Sequence, residues 1–148
     1  MKCRNCKSRI LNKIINIGSQ PVSSKTYLKS KKLKLYSLDL FKCVKCNLIQ
    51  LNKVAPSSEM YGSGYGYWTS LSNLMINHMR KKTDKIKLKK FNRVLDIGSS
   101  DPTFLNLLKN KNKDLELFAI DPSSEKFKES FKRKNINLIV DYFSKKKN

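Results

Sequence analysis

All four cysteines of the chain fall into two C-x-x-C pairs, Cys3-Arg4-Asn5-Cys6 and Cys43-Val44-Lys45-Cys46. Each such turn presents two thiolates to one point, and two turns complete a tetrahedral four-cysteine site for zinc. The pairing constrains the fold, because the chain between residues 7 and 42 must leave the site and come back to it. This gap exceeds the roughly 15–20 residues of a short zinc ribbon, so the insert needs structure of its own. Ile14, Ile15 and Ile17 read as a strand, and Gly18-Ser19-Gln20-Pro21 as a turn. Leu33, Leu35, Tyr36, Leu38, Leu40 and Phe41 read as a second strand entering the second pair, and Leu48 to Leu51 as a third leaving it. No histidine or fifth donor stands at ligand spacing. The expectation is therefore a closed structural zinc site on Cys3, Cys6, Cys43 and Cys46, within a first domain of residues 1–56. Disulfides or free thiols are the other readings of four cysteines. Metal-type pairs fit a reducing cytoplasm better, and the expected location is cytoplasmic.

A second feature lies in residues 93 to 121. Val94, Leu95 and Ile97 read as a buried strand that runs into Gly98-Ser99-Ser100. Asp101 is suited to cap a helix and Pro102 to start it, since the first helical N–H has no intrahelical partner. Phe104, Leu105, Leu107 and Leu108 continue at helical spacing, and Leu115 to Ile120 form a second strand ending at Asp121. Strand, small-residue turn, helix, strand, acid is the plan of a nucleotide-binding βαβ unit. A dinucleotide loop wants three glycines, and only Gly98 is present. Asp96 with Gly98 two residues later looks more like the first motif of class I methyltransferases, which bind S-adenosylmethionine; an α/β turn that binds nothing is the remaining alternative. Farther on, Ser123 or Ser124 can cap a further helix with Phe127 and Phe131 on its buried side. Ile136 to Val140 begins a third strand.

Between these parts, residues 57–90 hold an aromatic loop, Tyr61-Gly62-Ser63-Gly64-Tyr65-Gly66-Tyr67-Trp68, and a helix. The aromatics suit stacking on a nucleoside or packing as an apolar lid. Leu71, Leu74, Met75, His78 and Met79 recur at helical spacing. His78, the only histidine, therefore reads as a core or interface residue rather than a catalytic one. The chain carries 32 Lys+Arg against 11 Asp+Glu, a net charge of +21. The excess is scattered lysine rather than arginine, the residue that reads bases bidentately. It is consistent with an A/T-rich coding bias, and nucleic acid is not the expected partner. No stretch approaches the roughly 20 apolar residues of a membrane span, so no membrane association is expected.

Together these pieces resemble the sugar C-methyltransferases, zinc-binding class I S-adenosylmethionine enzymes that methylate nucleotide-linked keto-deoxysugars. The resemblance rests on Cys3 and Cys6 with Gly18-Ser19-Gln20-Pro21, and on the run Tyr36 to Leu51 through the second cysteine pair. At Cys46 to Leu51 the family usually has Cys-Gly-Leu-Val-Gln-Leu. It also rests on Tyr65-Gly66-Tyr67 with Ser70 and His78, on Asp96-Ile97-Gly98-Ser99-Ser100-Asp101, and on Ile120-Asp121-Pro122-Ser123. It implies an α/β chain with an N-terminal four-cysteine zinc-binding domain and an incomplete Rossmann-like sheet over residues 91–148. It further implies S-adenosylmethionine contacts at Asp96, Gly98, Ser99 and Asp121, with Tyr65 or Tyr67 nearby, and a nucleotide-linked sugar as substrate. Pro102 stands where the family has glycine, and Ser100 where it has asparagine. The family's later strands and catalytic base have no counterpart here, so no catalytic residue is assigned. The chain reads as truncated and inactive alone, or as completed by a second chain. The alternative function is a zinc-ribbon module that binds nucleic acid.

Overall fold

The computed structural model describes residues 1–23, 33–62, 64–88 and 92–144. Ser63 of the aromatic run and the terminal Lys145 to Asn148 lie outside them. The chain is mixed α/β and divides into two units, residues 1–60 and 61–148. None of the described helices is long and apolar enough to cross a membrane.

The first unit is an antiparallel sheet in the order β1 (Leu11–Pro21), β2 (Leu35–Cys43), β3 (Ile49–Leu51), followed by one helical turn, α1 (Ser57–Met60). The sequence Gly18-Ser19-Gln20-Pro21 is not a turn but the end of β1. The pairing with β2 slips between Asn16 and Ser19, and Gly18 sits inside the slip at φ +89° with its N–H donated to Asn16 Oδ1 at 2.6 Å. A bulge absorbs the glycine that would otherwise have ended the strand. Burial in this unit is sparse. Cys3, Cys43 and Gln50 are its only buried residues among those described, and Ile14, Ile15 and Ile17 are each about half exposed.

The second unit starts with a 3-10 turn, Thr69–Leu71, and α2 (Asn73–Asp84). A parallel sheet follows, β4 (Arg93–Ile97), β5 (Glu116–Ile120) and β6 (Asn137–Ile139), linked by α3 (Thr103–Lys111) and, after a 3-10 turn at Ser124–Phe127, α4 (Lys128–Arg133). Leu105, Leu108, Leu117, Ala119 and Phe131 are fully buried, with Val94 and Leu138 packed against them. Each large apolar side chain buried this way contributes about 1.5–3 kcal/mol. Strand alternation sends Leu95, Ile97 and Ile139 the other way, where each stays about half exposed.

The buried stripe of α2 differs from the expected one. Leu71 and Leu74 are exposed, and so is His78, which is therefore not a core residue of this unit. Met75, Ile76 and Met79 are half-buried and Thr83 is fully buried. Leu71 belongs to the 3-10 turn, and Ser72 caps the helix, its Oγ accepting the Met75 N–H at 3.3 Å. The inward stripe is Ile76, Met79 and Thr83, spaced i, i+3, i+7 on one helix face.

Candidate metal centre and ligand cleft

The two cysteine pairs fold as matching turns. In the first, Cys3 N–H donates to Ser8 O at 2.8 Å and Lys7 N–H to Cys3 O at 3.0 Å. In the second, Cys43 N–H donates to Leu48 O and Asn47 N–H to Cys43 O, both at 2.9 Å. The residue after each second cysteine is left-handed, Lys7 at φ 63° and Asn47 at φ 59°. Asparagine tolerates that conformation better than most residues, which explains its place where the resembled family carries glycine. Gln50, on β3, ties the first turn to the sheet. Its Oε1 accepts the Arg4 N–H at 2.8 Å, and its Nε2 donates to Lys2 O at 3.2 Å. Gln50 matches the glutamine of the resembled family's Cys-Gly-Leu-Val-Gln-Leu run, but that pattern alone does not give it a role.

The four sulfurs all lie within 4.8 Å of one another, with Cys3–Cys46 and Cys6–Cys43 at 3.5 Å. Zinc–sulfur bonds of about 2.3 Å at tetrahedral angles put sulfurs roughly 3.8 Å apart, so the set fits the ion with small adjustments. Its protonation is already uneven. The Leu48 N–H draws the Cys46 thiol down to about 6, ahead of the desolvation that opposes it. Burial presses Cys43 upward, but the N–H groups of Cys46 and Lys45 and the Cys6 thiol outweigh it and lower the group. At Cys6 the Ser8 N–H favours the thiolate, yet desolvation and the other thiols raise it to about 11. Four sulfurs this close cannot all ionise without a cation among them, and zinc binding would release their protons.

In the second unit, the turn after β4 runs through two left-handed residues, Gly98 at φ +79° and Ser100 at φ 59°. A Cβ on Gly98 would meet nothing within 4 Å, so the glycine serves the backbone angle rather than space. Pro102 has φ −74° and is in no conflict with its ring. Asp101, 2% exposed, accepts the Thr103 N–H at 2.9 Å and the Ser70 N–H at 2.7 Å, but the N-cap of α3 is Pro102 and its first residue Thr103, each one position later than expected. Asp121, 8% exposed, accepts the Ser100 N–H on Oδ2 at 3.0 Å and the Ser123 N–H and hydroxyl on Oδ1 at 2.6 and 2.5 Å. Ser124 Oγ donates to Ser100 O at 2.6 Å. Ser123 and Ser124 thus bind the loop rather than cap the following helix, and Ser123 makes no side-chain capping bond there.

Two cavities open around this loop. One, of about 520 Å³, is walled by Tyr61, Tyr65, Tyr67, Met75, Met79, Ile97, Gly98, Ile120 and Asp121. The other, of about 570 Å³, is walled by His78, Met79, Lys82, Lys85, Asp96, Gly98, Ser99 and Phe104. Thr69, Met79 and Gly98 line both. Burial, and then the charge of Asp121, raise the Asp96 carboxyl to about 6. The Ser99 hydroxyl, in a residue 5% exposed, has no partner among the described residues. Tyr65, Tyr67, Gly98 and Asp121 therefore share one cavity, and Asp96, Gly98 and Ser99 share its neighbour. Sequence spacing marks Met75 and Met79 only as a packing stripe, and the same i, i+4 spacing lets both reach the cavity wall.

Residues 3–61 match a methyltransferase-associated family model whose description reads "Putative zinc binding domain". The N-terminal unit is a methyltransferase-associated zinc-binding module. No curated protein matches the chain. All four ligands of the module lie inside the matched span, as does Gln50, which fastens one ligand turn to β3. The module's metal centre is closed by four sulfurs and so suits a structural ion, whereas catalytic zinc keeps a position open.

Proposed function

We propose that the cleft of residues 61–148 binds S-adenosylmethionine and that the chain serves methyl transfer to a carbon of a nucleotide-linked keto-deoxysugar. The carrying observation is the pair of adjoining cavities at the ends of parallel β4 and β5. One is apolar and tyrosine-lined, and the other is lined by residues that include Asp96 and Ser99. Ligands of open α/β sheets bind at the carboxyl ends of the strands, which is where these cavities open. The cofactor is itself two-sided, with a flat nucleoside at one end and a zwitterionic amino acid at the other. Tyr65 and Tyr67 suit the base. Asp121 has three acceptor positions in use and a fourth left for a ribose hydroxyl. Asp96 and the Ser99 hydroxyl suit the ammonium group, and Lys82 or Lys85 the carboxylate. In this reading the sheet is that of a Rossmann-like methyltransferase fold. When bound, the cofactor supplies an electrophilic methyl group on a sulfonium. The sugar substrate rests on the sequence resemblance alone, and the methyltransferase-associated module supports only the methyl transfer.

Titration calorimetry tests the reading directly. The parent chain is expected to bind S-adenosylmethionine and to reject NAD. Asp96→Ala should weaken binding at least tenfold at pH 7.5, because the ammonium loses its counter-charge. Equal affinity in parent and variant, or no binding by a folded parent, would remove the assignment.

A further inference from the structure

The segment Tyr65 to Trp68 supplies tyrosines to the wall of the first cavity, yet it belongs to no helix or strand. Its backbone is lightly held. Tyr65 N–H donates to nearby Gly62 O at 2.9 Å, Tyr67 O accepts from the Ser100 hydroxyl at a long 3.4 Å, and Trp68 O accepts the Leu71 N–H at 3.3 Å. One side chain adds more. Lys126, on the 3-10 turn that follows Asp121, donates from Nζ to Tyr65 O at 2.7 Å. The same nitrogen lies 4.2 Å from the centroid of the Trp68 ring, and Phe127 meets that ring edge-on at 5.7 Å. An ammonium has three donors and favours the face of an indole, so both contacts draw on one charge. Lys126 itself is exposed and forms no ion pair among the described residues, so its loss leaves the core intact.

We propose that Lys126 is a positioning residue, which clamps Tyr65–Trp68 onto the turn after Asp121 and thereby sets the affinity of the tyrosine-lined cavity for its ligand. The clamp stands apart from the identity of that ligand, and only the choice of S-adenosylmethionine as probe rests on the function proposed above. Methionine at 126 would keep the aliphatic stem but lose the charge and the donors. Arginine would keep the charge, the donors and an affinity for aromatic faces.

Trp68 is the only tryptophan in the chain, so its fluorescence reports the segment without a label. The experiment uses the full chain with zinc bound. In Lys126→Met, Trp68 emission should shift to the red and acrylamide quenching should rise at least twofold. Calorimetric affinity for S-adenosylmethionine should fall about three- to tenfold, the size of a contact worth roughly 1 kcal/mol. The unfolding midpoint should stay near the parent's, and Lys126→Arg should restore both readouts. Unchanged Trp68 quenching in Lys126→Met would overturn the proposal, as would a failure of arginine to rescue. A Trp68 response with unaltered affinity would overturn the link from clamp to cavity. If the parent binds no S-adenosylmethionine while Trp68 still responds to Lys126→Met, the clamp is upheld and the cofactor assignment falls.

Discussion

Replacing Asp121 with asparagine isolates what its carboxylate does for the fold before any ligand arrives. The carboxylate accepts from Ser100 N–H, Ser123 N–H and the Ser123 hydroxyl, all at a residue 8% exposed. Asparagine has one acceptor oxygen. Set toward Ser123 it keeps two of these bonds and turns its NH2 against the Ser100 N–H, donor to donor. One hydrogen bond to a charged group is lost, worth about 1.5–3 kcal/mol, and a part-buried N–H is left unpaired, at the low end of about 1–3 kcal/mol. Relief of the repulsion that Asp121 exerts on Asp96 returns part of this. The expected net loss is about 2–4 kcal/mol, confined to residues 61–148. Urea unfolding followed by Trp68 fluorescence reads that unit alone, because the N-terminal unit has no tryptophan. A loss below about 0.5 kcal/mol, the size of an ordinary surface substitution, would refute the role assigned to Asp121 in the loop. The same substitution should bring the Asp96 titration down from about 6, which carbon-detected NMR can follow, though not fully to the usual value because burial, the larger cause, remains. A calorimetric test of Asp121 as ribose ligand therefore needs a stability control beside it.

Removing zinc with a chelator, or substituting Cys46→Ser, should unfold residues 1–60 and leave residues 61–148 folded; retained sheet signals from β1–β3 in amide NMR spectra would contradict this. Asp96 has a folded-state pKa raised to about 6, so its protonated form is favoured by folding; that contribution is present below about pH 4 and lost as pH rises through 6. Asp96→Asn should accordingly stabilise the chain above pH 6, with a gain that shrinks toward zero by pH 4, as urea titrations at several pH values would record. Ser100→Gly should raise stability by about 0.5–1 kcal/mol, because a left-handed serine at φ 59° carries strain that glycine lacks; thermal unfolding checks it, and a lower midpoint would show that the hydroxyl bond to Tyr67 O matters more.

What could be read from the sequence was what local chemistry dictates. Two C-x-x-C turns that share one ion must face each other, so the cysteine cluster followed from spacing alone. A helix start at Asp101-Pro102-Thr103 likewise followed from the residue types, though one position early, since Pro102 is the N-cap. Local signals misled where tertiary packing chose among local options. Gly18 marks a turn by composition, but β2 continues alongside it and a bulge absorbs it. His78 lies on an apolar stripe by spacing, yet α2 packs through Ile76, Met79 and Thr83 and leaves it exposed on a cavity wall. Asp121 reads as a ligand acid by its place after β5. Its three internal bonds depend on a loop whose path, through left-handed Ser100, no propensity would have forecast. The clamp at Lys126 was invisible for the same reason, since one lysine among many carries no mark of the ring it will meet.

With so few apolar side chains buried around the four sulfurs, the N-terminal unit answers to its surroundings in a way that most small domains do not. An ordinary domain carries its stability with it, as a fixed property of the packed interior. Residues 1–60 bury only two cysteines and a glutamine among the described positions, so their stability is borrowed from solution. Under mass action, each tenfold fall in free zinc within the saturating range subtracts about 1.4 kcal/mol from the folded form. The fraction of chains with an ordered N-terminal sheet then becomes a gauge of available metal, set by the buffer as much as by the sequence.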